Sequence, residues 1–279
     1  MSGASGRRLS APGPFRAEHI PEGSPYELSD GHPVLCMPTG RRGSRANLVG
    51  GQVLETDPAV KSAGVDLGYS RNPSHLRAPD VSVGDFADEP GWSTEAPPLA
   101  VEYADTGQDE AELKTKIAEL LEAGTRYVWV VRLTGPRRVE VHEQGRPMRL
   151  ARPEDELTAP GILKNPVPVP ALYDREAAHE ATLRNLLQRR GYESLDAVRA
   201  EAEALGKLEG KREGEIEGRR EAVLAVLKAR GLAVSEAEHA QIVAARDVDV
   251  LDGWIVRATT AATTAKALAA SPSPQRRKR

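Results

Sequence analysis

The chain has 279 residues, of which 39% are hydrophobic and only 4% aromatic, and its formal net charge is -3. This length permits one substantial domain with appendages or two small domains, built on a mostly aliphatic core. The net charge excludes general affinity for nucleic acid, so any DNA contact must come from local patches. No apolar run approaches the ~20 residues that span a bilayer, so we expect no membrane segment.

Cysteine and histidine give no sign of a thiol or histidine site. Cys36 is the only cysteine, which excludes an internal disulfide and fits a reducing cytoplasm. It has no motif partner, so we expect a small buried hydrophobe rather than a nucleophile. The histidines at 32, 75, 142, 179 and 239 lie far apart, without metal-ligand spacing.

The N-terminal third begins without periodicity. Residues 1–24 are rich in Gly, Ser, Pro and Arg and predict a disordered leader. From Tyr26, the run YELSDGHPVLCMP predicts a strand or short helix, a turn at Asp30-Gly31 and a second strand. GRRGSRANLVGGQVLE predicts a helix, although the adjacent Gly50 and Gly51 weigh against it.

The stretch from Arg77 to Leu133 is predicted to form the centre of the fold. APDVSVG and PPLAVEY indicate two strands, with Asp80 before the first and Glu102 near the end of the second. DEAELKTKIAELLEAG has helical apolar spacing and ends at Gly124, and RYVWVVRL is typical of a strand covered on both faces. Two buried strands joined by a helix form a right-handed crossover unit, which predicts an α/β fold.

Later segments complete the predicted domains. RRVEVHEQG alternates as a half-exposed strand of the same sheet, and the proline-rich run from Leu157 to Tyr173 predicts an ordered strap. We therefore place the α/β domain at residues 25–174. An all-α extension follows, with a helical connector at 175–220, a small helical region at 221–270 and a basic tail at 271–279.

Glycines recur every fourth residue in the connector, at Gly206, Gly210, Gly214 and Gly218, with charged triplets between them. One interpretation is a flexible charged linker, since each glycine costs roughly 1 kcal/mol in a helix. The other is a helix that packs closely against a second copy, because glycines let helix backbones approach. The second interpretation predicts a homodimer, whose two sites could address both strands of a duplex.

Asp80, Glu102 and Lys116 are candidates for a catalytic metal site. Two carboxylates at neighbouring strand ends are hard oxygen ligands of the kind that Mg²⁺ takes. A bound metal acidifies water for phosphodiester hydrolysis, and a nearby ammonium can stabilise the transition state. We therefore expect Mg²⁺, with Mn²⁺ as the alternative ion, held by Asp80 and Glu102.

Each of these residues has an ordinary structural explanation as well. An aspartate after proline is commonly a turn residue that accepts hydrogen bonds from its own backbone. Glu102 is harder to explain in structural terms, because burying a carboxylate in a strand costs free energy unless the carboxylate is paired or metal-bound. Lys116 lies four residues after Glu112, as in a surface helix pair, and Lys114 borders the other side of the apolar stripe.

Taken in order, RAPDVSV, PLAVEY, KIAELLEAG and RYVWVV resemble the PD-(D/E)XK nuclease superfamily, and more closely its Uma-two-type restriction endonuclease family. The resemblance runs from Tyr26 to His142. It implies a restriction-endonuclease-like core, with a mixed central sheet flanked by helices, that cuts DNA with a bound metal. It also implies Asp80 and Glu102 as metal ligands and Lys116 as a catalytic lysine that has migrated from the glutamate strand to the following helix.

The same resemblance implies supporting roles for Glu27 and Glu112. Three features depart from the family pattern. Arg132 replaces the aspartate that usually follows the WVV strand, YADTGQDE replaces a serine-containing stretch, and the turn after Thr39 lacks the usual histidine.

Two functions are consistent with these patterns. The first is a Mg²⁺-dependent DNA endonuclease, which the presence of Asp80, Glu102 and Lys116 favours. The second is a non-catalytic DNA-binding or assembly module on a nuclease-like fold, which the long glycine-striped extension favours.

Overall fold

The computed structural model describes residues 13–269. The predicted basic tail and the first twelve residues of the predicted leader lie outside the described residues. The chain divides into two compact units, of which the first ends at Leu195 and the second begins at Asp196. Which of these segments carries which function stays a prediction.

The first unit contains strands and helices in alternation. In chain order, the elements are β1 (Tyr26–Ser29), β2 (His32–Leu35), α1 (Arg41–Thr56), β3 (Ser62–Val65), β4 (Val81–Gly84), β5 (Leu99–Ala104), α2 (Glu110–Ala123), β6 (Tyr127–Arg132), β7 (Arg138–Glu143), β8 (Arg149–Ala151), β9 (Glu156–Leu157), β10 (Val167–Pro168) and α3 (Arg175–Arg189). Two 3₁₀-helices, Ala17–His19 and Val169–Leu172, complete the unit.

A six-stranded sheet with the order β3-β4-β5-β6-β7-β8 forms its centre. Neighbouring strands are antiparallel except β5 and β6, which are parallel and are joined through α2. The α/β fold predicted from the sequence is therefore confirmed. Outside this sheet, β1 and β2 form a hairpin. Asp30 and Gly31 make its turn with φ angles of 48° and 74°, which suit the two-residue turns of hairpins.

The side chains of β5 alternate between two cores. Leu99, Val101 and Tyr103 pack in the large core formed with α1 and α3, whereas Ala100 and Ala104 pack against α2. Glu102 shares the α2 face with these alanines, because successive side chains of a strand point to opposite faces. The strand thus directs one carboxylate toward the helix that follows it.

Helix α2 begins and ends at the residues that the sequence indicated. Asp109 caps its first turn, accepting hydrogen bonds from the backbone N–H groups of Ala111 and Glu112. Gly124 ends the helix in the left-handed region, with φ 112°. Leu113, Ile117 and Leu120 are buried against the sheet, so the opposite side of the helix is left to solvent.

Helix α1 contains the glycines that weighed against it in the sequence. A Cβ at Gly50 would lie 1.9 Å from the Tyr103 hydroxyl oxygen. That hydroxyl donates to the backbone oxygen of Leu172 at 2.9 Å, so Tyr103 lies across the helix at this point. The close approach explains a residue with low helix propensity inside a buried helix.

Residues 13–24 correct the predicted leader, because they are ordered. Ala17 and Ile20 are buried and pack with Leu28 and Leu76. The backbone N–H of Ala17 donates to the backbone oxygen of Pro73 at 2.7 Å. Ala17 and Ile20, two apolar residues within a polar run, dock the segment on the domain. The composition of the segment did not indicate this docking.

The proline-rich strap is ordered and contributes to the large core. It contains β9, β10 and the second 3₁₀-helix, and Leu157, Val169 and Leu172 are fully buried. The prolines of the strap therefore do not prevent short regular elements. Its strands are only two residues long, as proline would permit.

The second unit is helical. Its elements are α4 (Leu195–Ala229), α5 (Glu236–Ala244), α6 (Val248–Ala258) and α7 (Thr264–Ala267), and its core includes Val223, Leu227, Ile242, Leu251 and Trp254. The striped glycines lie in the uninterrupted helix α4, as the helical interpretation predicted. Beyond the adjoining residues and backbone of α4 itself, a Cβ at Gly206, Gly210, Gly214 or Gly218 would meet no atom of residues 13–269 within 4 Å.

Between residues 13 and 269, no helix has the length and apolar character needed to cross a membrane.

Candidate active site

Asp80, which directly precedes β4, and Glu102 of β5 face the same side of the sheet. Val81 of β4 pairs with Val101 of β5, so Asp80, one residue earlier, stands opposite Glu102. Residues directly opposite in an antiparallel pair direct their side chains to the same face. The Asp80 carboxylate also accepts a hydrogen bond from the backbone N–H of Tyr103 at 2.6 Å, which fixes its position.

Lys116 reaches this pair from α2. Its Nζ lies 2.9 Å from Glu102 Oε1, 3.0 Å from Glu27 Oε1 and 2.9 Å from the backbone oxygen of Ala78. The contact with Glu102 is an ion pair rather than a well-directed hydrogen bond. Lys114 is exposed, so the structure brings Lys116 and not Lys114 to the carboxylates.

Glu27 connects Lys116 to Arg77. While Glu27 Oε1 contacts Lys116, Glu27 Oε2 accepts a hydrogen bond from Arg77 Nη1 at 3.0 Å. Only 1% of the Arg77 side chain is exposed, and its guanidinium also pairs with Glu112 and Glu119 of α2. Glu112 therefore contacts Arg77 and supports the carboxylate pair indirectly.

The sequence did not indicate that Arg77 is buried beside the candidate site. It precedes Asp80 in a segment without periodicity, and its partners come from β1 and α2, so no local pattern reveals its burial. The available signal was the number of glutamates in α2, which exceeded what its lysines could pair.

Burial raises the pKa values of both candidate metal ligands. Desolvation raises the pKa of Glu102 to about 8; Lys116 opposes this shift, and the charges of Asp80 and Glu27 reinforce it. Burial likewise raises the pKa of Asp80. Both carboxyl groups therefore lie where negative charge is poorly solvated and an added cation would be favoured.

Glu27 and Lys116 behave in the opposite way. Burial by itself would raise the pKa of Glu27, but Lys116 and Arg77 outweigh it and lower that pKa. Burial would lower the pKa of Lys116, but Glu102, Glu27 and Asp80 outweigh it and raise that pKa. Both groups therefore stay charged at neutral pH.

A cleft of about 450 Å³ gives access to these groups, and Glu27, Asp66, Asp80 and Lys116 line it. Asp66, just after β3, is a second residue that the sequence did not single out. Its pKa is raised, first by desolvation, and the charges of Lys116 and Glu27 also act on it. The only feature of the sequence that could have indicated Asp66 is its position as an acidic residue at the end of a strand.

Cys36 also lines the cleft and is exposed, so the expected burial was wrong. Desolvation at the cleft wall and the Glu27 carboxylate raise the pKa of the thiol to about 12. A thiol with that pKa is a poor nucleophile at neutral pH.

Arg132, which departs from the family pattern, is held by two acidic residues. It pairs with Glu110 of α2, with Nη1 2.6 Å from Glu110 Oε1, and with Glu140 of β7, with Nε 2.9 Å from Glu140 Oε1. These ion pairs account for the arginine in structural terms, as a link between a helix and a neighbouring strand.

The carboxylates fit a small divalent cation. No three His, Cys, Asp or Glu side chains of residues 13–269 are grouped to hold a metal ion. Mg²⁺, however, is commonly bound by one or two carboxylates and keeps several waters. Asp80 and Glu102 supply such a pair, and the raised pKa of buried Glu102 marks a need for positive charge.

Comparison with solved structures supports the fold described above. The structure is similar to the crystal structure of a protein described as a "putative nuclease belonging to DUF820" from Anabaena variabilis. The TM-score is 0.50, the sequence identity is 18%, and the match covers 59% of this chain and 99% of that one. At this identity the likeness shows the fold, and it confirms the predicted nuclease-like core. No protein of curated function matches the chain.

The family model Uma2, described as "Putative restriction endonuclease", matches residues 15–167. The match spans more than half of the chain and includes Asp80, Glu102 and Lys116. The chain therefore belongs to the Uma2 family.

Proposed function

We propose that this protein is a divalent-metal-dependent DNA endonuclease whose catalytic residues are Asp80, Glu102 and Lys116. Membership of the family supports a nuclease. The metal, the DNA substrate and the residue roles are parts of the proposal. Its main support is one geometric observation: Asp80 stands opposite Glu102 on the sheet face where Lys116 Nζ lies 2.9 Å from Glu102.

Asp80 and Glu102 hold the ion in this proposal, with Mg²⁺ as the expected ion and Mn²⁺ as the alternative. When bound, such an ion acidifies a water ligand and neutralises charge on the scissile phosphate. The hydrogen bond from the backbone of Tyr103 leaves Asp80 Oδ1 free to act as a ligand. Glu102 would be the second ligand, beside the Lys116 ammonium.

Lys116 would act beside the ion. Its Nζ donates hydrogen bonds to Glu27 Oε1 and to the backbone oxygen of Ala78, and its contact with Glu102 is an ion pair. An ammonium has three N–H donors, so one remains for a water or a phosphate oxygen bound at the site. That donor would stabilise developing negative charge.

Glu27 and Arg77 would keep the lysine in place beside the ion. Glu27 retains its contact with Lys116 through one oxygen and with Arg77 through the other. Arg77 is in turn held by Glu112 and Glu119. We assign these residues positioning roles, since they reach the carboxylate pair only through Lys116.

A second candidate is a non-catalytic DNA-binding or assembly module. The specific observation in its favour is that Lys116 Nζ has three oxygen atoms of the protein within 3.0 Å, on Glu102, Glu27 and Ala78. In that case the ammonium would be a permanent structural counter-ion of Glu102. Metal would then fail to displace it, which a titration with Mg²⁺ or Mn²⁺ would detect.

The decisive functional experiment is cleavage of supercoiled and branched DNA with Mg²⁺, Mn²⁺ or EDTA. We expect nicking and linearisation with either metal and none with EDTA. Asp80→Asn, which keeps the shape of the side chain, should be inactive. Activity that is equal in Asp80→Asn and in the wild type would refute the proposed site.

We further propose that the protein is a cytoplasmic homodimer, in which copies of α4 pair along Gly206, Gly210, Gly214 and Gly218. The open space around these glycines supports the proposal. Sedimentation should show a dimer that dissociates when Gly210 and Gly214 are both changed to Leu and persists when both are changed to Ala. A monomeric wild-type protein would refute it.

A further inference from the structure

Arginines from three parts of the first unit line one cavity beside the cleft. The cavity measures about 480 Å³, and its arginines are Arg41, Arg42, Arg45, Arg137 and Arg175. We propose that these five residues, here called the arginine surface, bind the phosphate backbone of duplex DNA. The inference rests on the proposed function, because it names the surface that presents DNA to that site.

The arginines come together through the fold rather than through sequence. Arg41, Arg42 and Arg45 lie in the first turns of α1, Arg175 begins α3, and Arg137 lies just before β7. A neighbouring cavity of about 540 Å³ shares Arg137 and adds Arg138 and Arg152. The basic area therefore extends beyond a single pocket, which suits an extended polyanion better than a small anion.

Most of this positive charge is not neutralised within the protein. Arg41, Arg45 and Arg175 are exposed, and their side chains have no hydrogen bond or ion pair to the rest of residues 13–269. The acidic residue that lines the cavity, Asp174, uses Oδ1 to cap α3, accepting from the backbone N–H of Ala177 at 3.0 Å. Unpaired like charges gathered in one place repel one another, and an anionic ligand would relieve this repulsion.

The remaining two arginines are oriented. Arg42 pairs with Asp105 and donates to the Thr106 hydroxyl. The Arg137 guanidinium carbon lies 4.7 Å from the centroid of the Tyr173 ring, in a stacked contact. Arg42 uses Nε and Nη2 in these contacts, which leaves Nη1 for a ligand. The stacked guanidinium of Arg137 presents a planar set of donors that matches phosphate oxygens.

The arginine surface adjoins the candidate active site. Met37, Pro38 and Thr39 line the cleft, and Arg41 follows them after a single glycine. Asp105, the partner of Arg42, lies three residues after Glu102 in the chain. A backbone that lies across the arginines therefore continues toward Asp80 and Glu102, and this placement favours DNA over an unrelated anionic partner.

Binding can be tested without cleavage, by fluorescence anisotropy of a labelled DNA duplex with the full-length protein in EDTA over a series of salt concentrations. The test variant carries Arg45→Gln and Arg175→Gln. The matched control carries Arg146→Gln and Arg190→Gln, which removes the same charge from exposed positions outside the surface. Thermal melting of each protein checks that it is folded.

We expect the test variant to bind the duplex about tenfold or more weakly and the control to bind like the wild type. The slope of log K against log salt should fall in magnitude by up to about 1.8, since each lost phosphate contact contributes ~0.9. Equal losses in both variants, no duplex binding by the wild type, or binding to phosphatidylserine vesicles in place of DNA would each overturn the inference.

The same proteins separate this inference from the proposed function. If the wild type binds DNA through the arginine surface but never cuts it, the catalytic proposal alone fails. If the wild type cuts with Mg²⁺ and the test variant binds unchanged, the inference about the arginine surface alone fails.

Discussion

Lys116 and Glu102 form an ion pair of 2.9 Å, although one lies in a helix and the other in a strand. The pairing follows from the crossover in which α2 packs on the face of β5 that carries Glu102. A lysine in the second turn of α2 can therefore reach the carboxylate pair in place of a lysine on β5, the strand that carries Glu102. The relationship explains how Glu102 and Lys116 meet although Lys116 lies fourteen residues later in the chain.

The first prediction concerns the two lysines of α2. Lys116→Met should abolish DNA cleavage and lower the free energy of unfolding by roughly 3 kcal/mol, because Glu102 loses its counter-ion while buried. Lys114→Met, at an exposed position, should stay within about 0.5 kcal/mol of the wild type and remain active. Urea unfolding and plasmid nicking measure these effects.

The outcome that would contradict this prediction is a reversal of the two variants. If Lys114→Met were inactive and Lys116→Met active, the assignment of the catalytic lysine would be wrong. Metal binding should survive in Lys116→Met, because the ammonium competes with the cation for Glu102.

A second prediction links metal binding to pH. Because burial raises the pKa of Glu102 to about 8, a fraction of the metal-free protein carries a proton on this carboxyl near neutral pH. It must lose that proton to act as a ligand, so apparent affinity for Mn²⁺ should rise with pH and level off above about 8. Calorimetry in two buffers of different ionisation enthalpy should detect proton release at pH 7. Glu102→Gln is the control that should show none.

A third prediction concerns the stability of the metal-free protein. The pKa of Glu102 is raised from 4.5 to about 8 by folding, so the folded state binds the proton more tightly than the unfolded state. Glu102 should therefore make the protein progressively less stable as pH rises through this range. Chemical unfolding between these pH values should show this decline, and Glu102→Gln should flatten it. The exposed substitution Glu122→Gln should leave it unchanged.

A fourth prediction tests the contact between α1 and β5. Gly50→Ala should destabilise the protein by about 1–3 kcal/mol, because the added Cβ would overlap the Tyr103 hydroxyl. Tyr103→Phe in the same chain should recover part of the loss. Gly210→Ala, where the added carbon meets nothing, should instead stabilise α4 by up to about 1 kcal/mol. Equal effects at both glycines would contradict this explanation.

The central part of the fold was predictable because its signals are local. An apolar run interrupted by Glu102 marked a buried strand with an unusual carboxylate, and Asp109 and Gly124 marked the ends of α2. Helical spacing narrowed the candidate catalytic lysine to Lys114 or Lys116. It could not choose between them, because they border the apolar stripe of α2 on opposite sides. Only the packing of α2 on the sheet decided between them.

The features that were missed depend on tertiary contacts. Arg77 is buried through glutamates from two other elements, and no spacing within its own segment indicates that. A glycine is needed at position 50 of α1 because Tyr103, hydrogen-bonded to Leu172, lies against it, and both of these residues are far away in the sequence. The docking of residues 13–24 likewise depends on partners beyond Tyr26.

The central claim, that Asp80 and Glu102 share one divalent ion, is tested most directly by a Mn²⁺ titration followed by electron paramagnetic resonance. We expect one ion per chain in the wild type and in Glu112→Gln, whose carboxylate pairs with Arg77 instead. Asp80→Asn and Glu102→Gln should each weaken binding by about tenfold or more. Unchanged Mn²⁺ binding in both of these variants would contradict the claim.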